Sequence, residues 1–243
     1  MKLDQPLKIF PTAMHPCSYI PGLIARNAVV DPDYDMDPKI YDYLIQNGFR
    51  RSGDQVYRPY CQTCEKCVTT RIPVEEFKRS RSQKRIWKLN QDIIVKTNVG
   101  KFKQEYLPIY QRYLESRHES QDYQEVEKFL SADWCDIIYL EFYQLDTDAD
   151  NNTEERLIGI AVTDQVKSGL SAVYTFFEPD CGSKRSLGVF AILWQIELAK
   201  KQRVEYVYPG FWIKDCRKMN YKSNFQPIEG LIKGKWIPLE KGS

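Results

Sequence analysis

Three cysteines at regular spacing give the sequence its clearest chemical signal. Cys61, Cys64 and Cys67 form a C-x-x-C-x-x-C run, and either Cys17 or His15 can supply a fourth ligand. Thiolates at this spacing suit tetrahedral Zn²⁺ or an iron–sulfur cluster. The same run also suits free thiols in a compact turn. The sequence therefore leaves open whether Cys17, Cys61, Cys64 and Cys67 are metal ligands or scaffold.

Three arginines precede the cysteines and form the second candidate site. Arg50, Arg51 and Arg58 flank a Ser52-Gly53-Asp54 step, which is typical of a tight hairpin turn. The neighbouring residues alternate between apolar and basic, as they do in half-buried strands. We predict a hairpin that presents these three arginines, or one whose outer face they only solvate.

A third candidate is an anion site at the start of a strongly apolar helix. Lys184 and Arg185 precede Ser186 and Gly188, so backbone N–H groups, a helix dipole and two cations converge there. A strand, this loop and a helix with R-x-x-G resemble the acyl-CoA N-acyltransferase (GNAT) fold, whose equivalent loop holds the phosphates of acyl-CoA. Phe190 stands where that loop usually has a small residue. The match is therefore incomplete, and an ordinary helix with a basic start is the alternative.

Basic residues are concentrated in two further stretches. Residues 78–103 contain nine basic side chains and one acidic one, and 208–227 interleave aromatic and basic side chains. The first stretch suits a phosphate-rich partner, and the second suits nucleotide stacking with phosphate contacts. The alternatives are a solvated helix face and a core-covering loop with snorkelling lysines.

The sequence disfavours a catalytic triad. Its histidines are His15 and His118, and it has no nucleophile-elbow motif, no Walker A motif and no G-x-G-x-x-G. A Ser-His-Asp hydrolase is therefore disfavoured. An enzyme with this sequence is expected to work by positioning two reactants.

Composition indicates a globular protein without a membrane segment. The chain has 243 residues, 42% of them hydrophobic and 13% aromatic, with a formal net charge of +2. It can bury a proper core. No apolar run suits a signal peptide or a transmembrane helix. The seven cysteines without a secretory signal predict reduced thiols and a cytoplasmic location.

The elements that must position these groups are predicted from apolar periodicity. The acidic run 146–155 is expected to be an exposed hairpin loop, and 178–185 a turn-like loop. Pro108 is expected to kink or split its helix, and Ser186 is the expected N-cap of another. Predicted helices are 38–46, 80–89, 102–117, 124–130 and 187–201, and predicted strands are 68–77, 92–98, 136–145, 156–165, 168–177 and 204–208.

The order of these elements predicts an α+β fold with two domains. Three consecutive strands with short connections form an antiparallel meander, which a helix and a further strand follow. We predict a small cysteine-containing N-terminal domain over residues 1–77. A GNAT-like domain with a mixed or antiparallel sheet is predicted over 78–243.

Six motifs occur in the order of one known family. They are C-S-Y-I-P-G at 17–22, G-F-R-R-S-G with V-Y-R-P-x-C-x-x-C-x-x-C at 48–67, R-S-Q-K-R at 81–85, Y-T-F-F-E-P at 174–179, R-S-L-G at 185–188 and K-M-N-Y-K-S-N-F-Q-P at 218–227. Together they resemble the bacterial aspartate/glutamate leucyltransferases, which are relatives of the eukaryotic arginyl-tRNA–protein transferases.

The resemblance implies a tRNA-dependent aminoacyltransferase that requires no cofactor. Leucine would pass from leucyl-tRNA to the α-amino group of a protein that begins with Asp or Glu. The new N-terminal leucine would mark that protein for N-degron proteolysis. The enzyme would be a cytoplasmic monomer. The alternatives are arginyl transfer from arginyl-tRNA, acetyl transfer from acetyl-CoA and tRNA binding without catalysis.

The resemblance also implies roles for individual residues. The N-terminal domain would recognise the acceptor, whose acidic side chain calls for the planar fork of arginine. Tyr174 is the expected catalytic residue. The expected acceptor-binding residues are Tyr19, Arg50, Arg51, Tyr57 and Arg58. The expected aminoacyl-tRNA-binding residues are Arg81, Lys84, Arg85, Lys88, Arg185, Ser186, Gly188, Lys218, Tyr221 and Lys222.

The cysteine pattern departs from that of the eukaryotic arginyl enzymes. Their opening C-x-x-C becomes Cys17-Ser18-Tyr19-Ile20, with one thiol lost. Their adjacent pair becomes the spaced Cys61, Cys64 and Cys67. Metal ligation in those relatives is therefore not carried over intact.

Overall fold

The N-terminal part of the chain forms a small antiparallel sheet. The computed structural model describes residues 6–117, 125–147 and 153–241. β1, β4, β6 and β5 pair in this order, and β2 pairs with β3, in elements bounded as follows: β1 (Ile9–Pro11), β2 (His15–Pro16), β3 (Ile24–Ala25), β4 (Asn27–Val30), α1 (Pro38–Gln46), β5 (Arg50–Ser52) and β6 (Gln55–Pro59). α1 begins after Asp37, whose carboxylate accepts from the backbone N–H groups of Lys39 and Ile40 at 2.7 Å each.

The remaining elements are the strands of one large sheet and the helices that connect them. They are β7 (Val68–Pro73), α2 (Arg81–Leu89), β8 (Ile94–Val99), α3 (Tyr106–Arg117), α4 (Val126–Leu130), β9 (Asp136–Thr147), β10 (Thr153–Val166), β11 (Gly169–Phe177), α5 (Pro179–Arg185), α6 (Leu187–Gln202), β12 (Tyr206–Trp212), α7 (Arg217–Asn220), a 3₁₀ turn (Tyr221–Asn224), β13 (Glu229–Ile232) and β14 (Lys235–Pro238). The strand order is β14-β13-β7-β12-β11-β10-β9-β8. β11 and β12 run parallel, whereas the other neighbours are antiparallel.

β11 and β12 separate soon after they begin to pair, and we call the gap between them the strand split. Their pairing runs from Gly169 with Tyr206 to Ser171 with Tyr208. On its other edge β12 pairs with β7 on both sides of an irregularity between Val207 and Gly210. Strands that stop pairing leave backbone groups without ladder partners, so other groups must satisfy them. The strand split is therefore a place where side chains can be held by backbone carbonyls.

One hydrophobic core joins the two sheets. Val30 and Val56 of the small sheet, with Phe49 just before β5, share a buried cluster with Ile160 and Phe176 of the large one. β7 lies inside the large sheet, between β13 and β12, although the predicted N-terminal domain includes it. The domain boundary after residue 77 stays a prediction.

Most predicted elements agree with the structure. β5 and β6 form the expected hairpin around Gly53, and β9, β10 and β11 form the expected meander. The mixed sheet with its helices confirms the α+β class. His118 and the tip of the acidic hairpin at 148–152 lie outside the described residues. Across the described ranges, no helix has the length and apolar content needed to cross a membrane.

Two local predictions are wrong, and a third is right in position only. α3 begins at Tyr106, so Pro108 lies in the first turn, where its missing N–H removes no helical hydrogen bond and the helix continues. Residues 179–185 form α5 instead of a loop. Ser186 is the N-cap residue of α6, as predicted, but it joins α5 directly to α6 with a φ of 55° and its side chain makes no capping hydrogen bond.

Candidate functional site

A pocket opens at the strand split. Its lining includes Tyr19 and Tyr57 from the N-terminal part of the chain, Arg50 from β5, Gly210 from β12 and Lys222 from the 3₁₀ turn. No acidic side chain is among the described residues that line it. The pocket therefore has the electrostatic character of an anion site.

Arg50 spans the strand split with one side of its guanidinium. Nη2 donates to the carbonyl of Ala172 on β11 at 2.9 Å and to that of Tyr208 on β12 at 2.8 Å. These carbonyls lie where the two strands part, which explains why they accept from a side chain. Nη1 is buried and has no hydrogen-bond partner among the described residues. Because buried polar groups are normally satisfied, Nη1 is poised for a ligand.

Lys222 is the second cation of the pocket, and it is only 6% exposed. Its Nζ donates to the Phe211 carbonyl at 2.7 Å and contacts Met219 Sδ at 3.5 Å. Burial and, next, the charge of Arg50 lower the pKa of Lys222 to about 7. Lys222 lines the pocket and is not part of the exposed basic surface, so its expected role on a tRNA phosphate stays a prediction.

Gly210 keeps the space between the two cations open. Its φ is 96°, in the left-handed region that favours glycine. A Cβ atom there would lie 3.7 Å from Lys222 Nζ and 3.9 Å from Arg50 Nη2. The two cations thus approach the same point of the pocket from different elements.

Tyr19 and Tyr57 complete the pocket as neutral hydroxyls. Burial is the main cause that raises the pKa of each phenol, and Tyr57 and Cys67 add to it for Tyr19. The Tyr57 ring lies 6.3 Å from that of Phe211. Both hydroxyls stay protonated near neutral pH and can donate a hydrogen bond to a bound anion.

Arg51 is also a lining residue of the pocket, but its guanidinium is bound elsewhere. Its Nε and Nη2 donate to the Asp164 carboxylate, the latter at 2.6 Å, and both side chains are fully buried. Its Nη1 donates to the Ser131 carbonyl at 3.2 Å, and its Nη2 also to that of Leu130 at 3.2 Å. The fork of Arg51 is therefore occupied by the protein itself.

Arg58 and Tyr174 lie outside the described lining of the pocket. Arg58 stacks over the Phe49 ring at 4.9 Å and borders a separate groove. Tyr174 packs among aromatic rings, 5.5 Å from Phe129 and 5.9 Å from Tyr110. Burial raises the pKa of Tyr174, so its phenolate is not accessible as a proton acceptor.

At the predicted anion site before α6, the main cation, Arg185, is already paired with a carboxylate of the protein. Arg185 forms a two-pronged ion pair with Asp92 at 2.8 and 2.7 Å and also donates to the Leu89 carbonyl. Gly188 lies beside Phe177, whose Cε1 would be 3.8 Å from an added Cβ. Arg185 thus ties α5 to the end of α2, with Ser186 in the turn that follows.

The basic face of α2 is exposed next to the 3₁₀ turn. The buried Gln83 of α2 donates to the Asn224 carbonyl at 3.1 Å and so fixes α2 against the turn that carries Lys222. Tyr221 is half-buried, whereas Lys218 is exposed on α7. The exposed basic side chains of α2 are Arg81, Lys84, Arg85 and Lys88.

The four candidate metal ligands line one pocket beside Tyr19. Cys17, Cys61, Cys64 and Cys67 are free thiols, and His15 borders the same pocket. Burial, followed by the neighbouring thiols, raises the pKa of Cys67 to about 12. Within the described residues, no three His, Cys, Asp or Glu side chains are placed to hold a metal ion. The arrangement as it stands does not fit a bound metal, and zinc or iron–sulfur binding stays a prediction.

Sequence reasoning missed that Arg50 and Lys222 share a pocket. It grouped Arg50 with Arg51 and Arg58, and Lys222 with the exposed Lys218. Strand alternation does indicate that adjacent arginines point to opposite faces. No comparable signal in the sequence separates Lys222 from Lys218, because the burial of Lys222 depends on β12.

Two family models together match most of the chain. "Arginine-tRNA-protein transferase, N terminus" matches residues 15–85, and "Arginine-tRNA-protein transferase, C terminus" matches residues 104–232. The first covers the hairpin and the cysteines, and the second covers the strand split and Lys222.

Curated relatives match over nearly the full chain. A protein of Hahella chejuensis named aspartate/glutamate leucyltransferase is 43% identical over 238 residues, covering 96% of this chain and 97% of its own. Proteins of the same name from Pseudomonas fluorescens SBW25 and Saccharophagus degradans are 46% and 44% identical, covering 96% and 95% of this chain and 97% and 96% of their own. Among solved structures, L-PGS from Bacillus licheniformis is similar with a TM-score of 0.40 at 10% identity, over 60% of this chain and 45% of its own.

Proposed function

Because the chain belongs to the arginine-tRNA-protein transferase family, we propose that it acts as the aspartate/glutamate leucyltransferases of that family do. It transfers leucine from leucyl-tRNA to the α-amino group of proteins that begin with Asp or Glu. The product carries an N-terminal leucine and is thereby marked for N-degron proteolysis. The match over 96% of the chain to relatives of that name carries this proposal.

The reaction is an aminolysis of an activated ester. The acceptor amine forms a C–N bond with the leucyl carbonyl carbon, and the bond from that carbon to the ribose oxygen of the tRNA breaks. The amine loses a proton and the ribose oxygen gains one. No covalent enzyme intermediate is needed, so the protein has to position two reactants and move a proton.

Arg50 is the proposed ligand for the acidic side chain of the acceptor. Its Nη2 is held by Ala172 and Tyr208, and its buried Nη1 has no partner among the described residues. A carboxylate at Nη1 would gain a charge-assisted hydrogen bond in a pocket whose described lining has no competing acid. Tyr19 and Tyr57 would donate to its second oxygen. Arg51 is left out because Asp164 already occupies its fork.

The basic face of α2 is the proposed contact for the tRNA acceptor stem. Its exposed cations lie beside the 3₁₀ turn, so a bound stem would direct its aminoacyl end toward the strand split. Lys218 and Tyr221 would support that end. A strand split bridged by the crossover helix α6 supports a GNAT-like architecture with the donor end in the split. We propose a monomer that acts in the cytoplasm, where charged tRNA is made.

Leucyl transfer is tested with labelled leucyl-tRNA and peptides that begin with Asp, Glu, Ala or Lys. The proposal expects transfer to Asp and Glu peptides alone and none from arginyl-tRNA or acetyl-CoA. Failure to label any acidic peptide would refute it. Transfer of arginine in preference to leucine would reassign the donor.

Arg50→Met tests the acceptor site. The KM of acidic peptides should rise about 10- to 100-fold, the worth of one charge-assisted hydrogen bond, while leucyl-tRNA affinity is unchanged. Arg112→Met is the matched control, because Arg112 lies on α3 and forms a surface ion pair with Glu178. Melting temperatures of both variants show whether the strand split is intact. A fall in leucyl-tRNA affinity would instead assign Arg50 to a phosphate.

A further inference from the structure

Among the described residues, the amine of Lys222 has two hydrogen-bond acceptors, which leaves one position open. The Phe211 carbonyl accepts from its Nζ at 2.7 Å, and Met219 Sδ lies at 3.5 Å. These two acceptors use two of the positions of a neutral amine. The remaining position is the lone pair, and Lys222 lines the pocket that Arg50 also lines.

The groups that face Lys222 disfavour its charged form. Arg50 on β5 is the near cation, while the fork of Arg51 is neutralised by Asp164. Cys216 acts weakly in the opposite direction, and the Tyr221 ring lies 5.9 Å from Nζ. Tyr19 and Tyr57 in the pocket wall are neutral. Burial next to an uncompensated cation lowers the pKa of Lys222 to about 7, so the neutral amine is well populated at neutral pH.

We propose that Lys222 is the general base of the transfer reaction, which takes the proton from the attacking α-amine. The inference rests on the proposed function. In the acceptor residue the α-amine and the side-chain carboxylate are only a few bonds apart. A carboxylate on Arg50 therefore brings the amine close to Lys222, since Arg50 Nη2 and Lys222 Nζ both lie within 4 Å of the Cβ position of Gly210.

The protons gained and lost in this step balance without any further reactant. The neutral α-amine attacks the leucyl carbonyl carbon, and Lys222 Nζ takes a proton from the nitrogen of the tetrahedral intermediate. The bond to the ribose oxygen then breaks, and the Lys222 ammonium gives that proton to the leaving oxygen. Lys222 returns to its neutral form. The tyrosines of the pocket do not compete, because burial raises their pKa values.

Lys222→Met is the first test, because methionine keeps the length of the side chain and removes the base. Under single-turnover conditions with saturating peptide, the transfer rate should fall about 100-fold or more. Leucyl-tRNA affinity should be unchanged, and peptide KM should change little. Lys214→Met, at an exposed lysine of the same loop, should behave as wild type. An unchanged rate in Lys222→Met would overturn the inference, as would a raised peptide KM with the rate preserved.

The pH profile separates a base from a structural lysine. Below pH 8 the kcat/KM of wild type should depend on two ionisations, that of the acceptor α-amine near about 7.8 and that of Lys222. Lys222→Met should retain only the ionisation of the amine. The same single ionisation in wild type would overturn the inference, and this measurement does not depend on the folding of any variant.

Amine rescue gives a second independent readout. Lys222→Ala should regain transfer activity with added propylamine, and the recovery should follow the free-base fraction of that amine as pH rises. A folded, inactive Lys222→Ala that propylamine does not rescue would assign Lys222 a positioning role and overturn the inference. A wild-type enzyme that transfers no leucine would refute the proposed function itself, whereas an active wild type with an equally active Lys222→Met would refute the inference alone.

Discussion

Replacing Arg51 by methionine should destabilise the protein and leave the preference of its folded fraction for acidic acceptors unchanged. Arg51 is adjacent to Arg50, but strand alternation points its side chain the other way. Its guanidinium binds Asp164 through Nε at 2.9 Å and Nη2 at 2.6 Å. Tyr41 also donates to Asp164, at 3.0 Å. The variant would leave the Asp164 carboxylate buried without its charged partner, with the Tyr41 hydroxyl still donating to it.

The expected loss is large because neither charge of the pair reaches solvent. Removing one partner of a buried ion pair costs about 3–5 kcal/mol. This is a large share of the roughly 5–15 kcal/mol that stabilises a typical domain. A double variant, Arg51→Met with Asp164→Leu, removes both charges and should recover most of the loss, because a buried pair contributes little over an apolar replacement. The single variant Asp164→Leu strands the guanidinium and should be as damaging as Arg51→Met.

Urea unfolding of the wild type, the two single variants and the double variant measures these values as changes in midpoint at a constant m value. A coupling energy of about 3 kcal/mol or more is expected from the cycle. Strictly additive losses would refute the structural role of the pair. So would an Arg51→Met enzyme of wild-type stability that accepts Asp and Ala peptides equally, since Arg51 would then be reading the acceptor.

Lys222→Met should raise stability at neutral pH. The pKa of Lys222 is lower in the folded protein than the roughly 10.4 of an unfolded lysine, so the unfolded chain binds more protons. Wild-type stability should therefore increase from about pH 7 to 10. Melting temperatures measured against pH should show this increase in the wild type and not in the variant. Gly169→Ala should prevent stable folding, because the new Cβ would lie 2.0 Å from the Tyr206 carbonyl oxygen; a wild-type melting temperature would contradict this. Arg185→Met should cost about 1 kcal/mol or less and change the KM of leucyl-tRNA little, because its guanidinium binds Asp92; a KM raised tenfold would show that it binds the tRNA instead.

The local sequence pattern was sufficient to predict elements that are adjacent in the chain and joined by short turns. The β5–β6 hairpin follows from the turn at Gly53, and the meander of β9, β10 and β11 follows from short connections between alternating strands. The local pattern did not predict the junction at which α5 runs directly into α6. α5 has no apolar stripe in PDCGSKR, and the sequence has serine, not glycine, at the positive φ of residue 186. α5 contacts α3, α6 and β10, so its helix depends on tertiary contacts that its own residues do not reveal.

The site was only partly predictable for the same reason. Adjacent arginines on a strand must face opposite sides, but the sequence does not say which one meets a carboxylate. That is decided by Asp164, which lies 113 positions away from Arg51 in the chain. The sequence alone does not distinguish Lys218 from Lys222, because the burial of Lys222 depends on β12. Long-range partners therefore decide which of several similar cations becomes part of the site.

The strand split explains why the two cations are where they are. β11 and β12 stop pairing after Ser171 and Tyr208, and a carbonyl of each strand near that point accepts from Arg50. The Phe211 carbonyl holds Lys222 in the same way. Each cation satisfies backbone groups of the separating strands and by that contact is fixed with one face toward the pocket. The cost of parting two strands is thereby offset by the side chains that the proposed reaction uses. Loss of Arg50 should therefore loosen the split as well as weaken acceptor binding, which is why the activity of the Arg50 variant has to be compared at matched folded fraction.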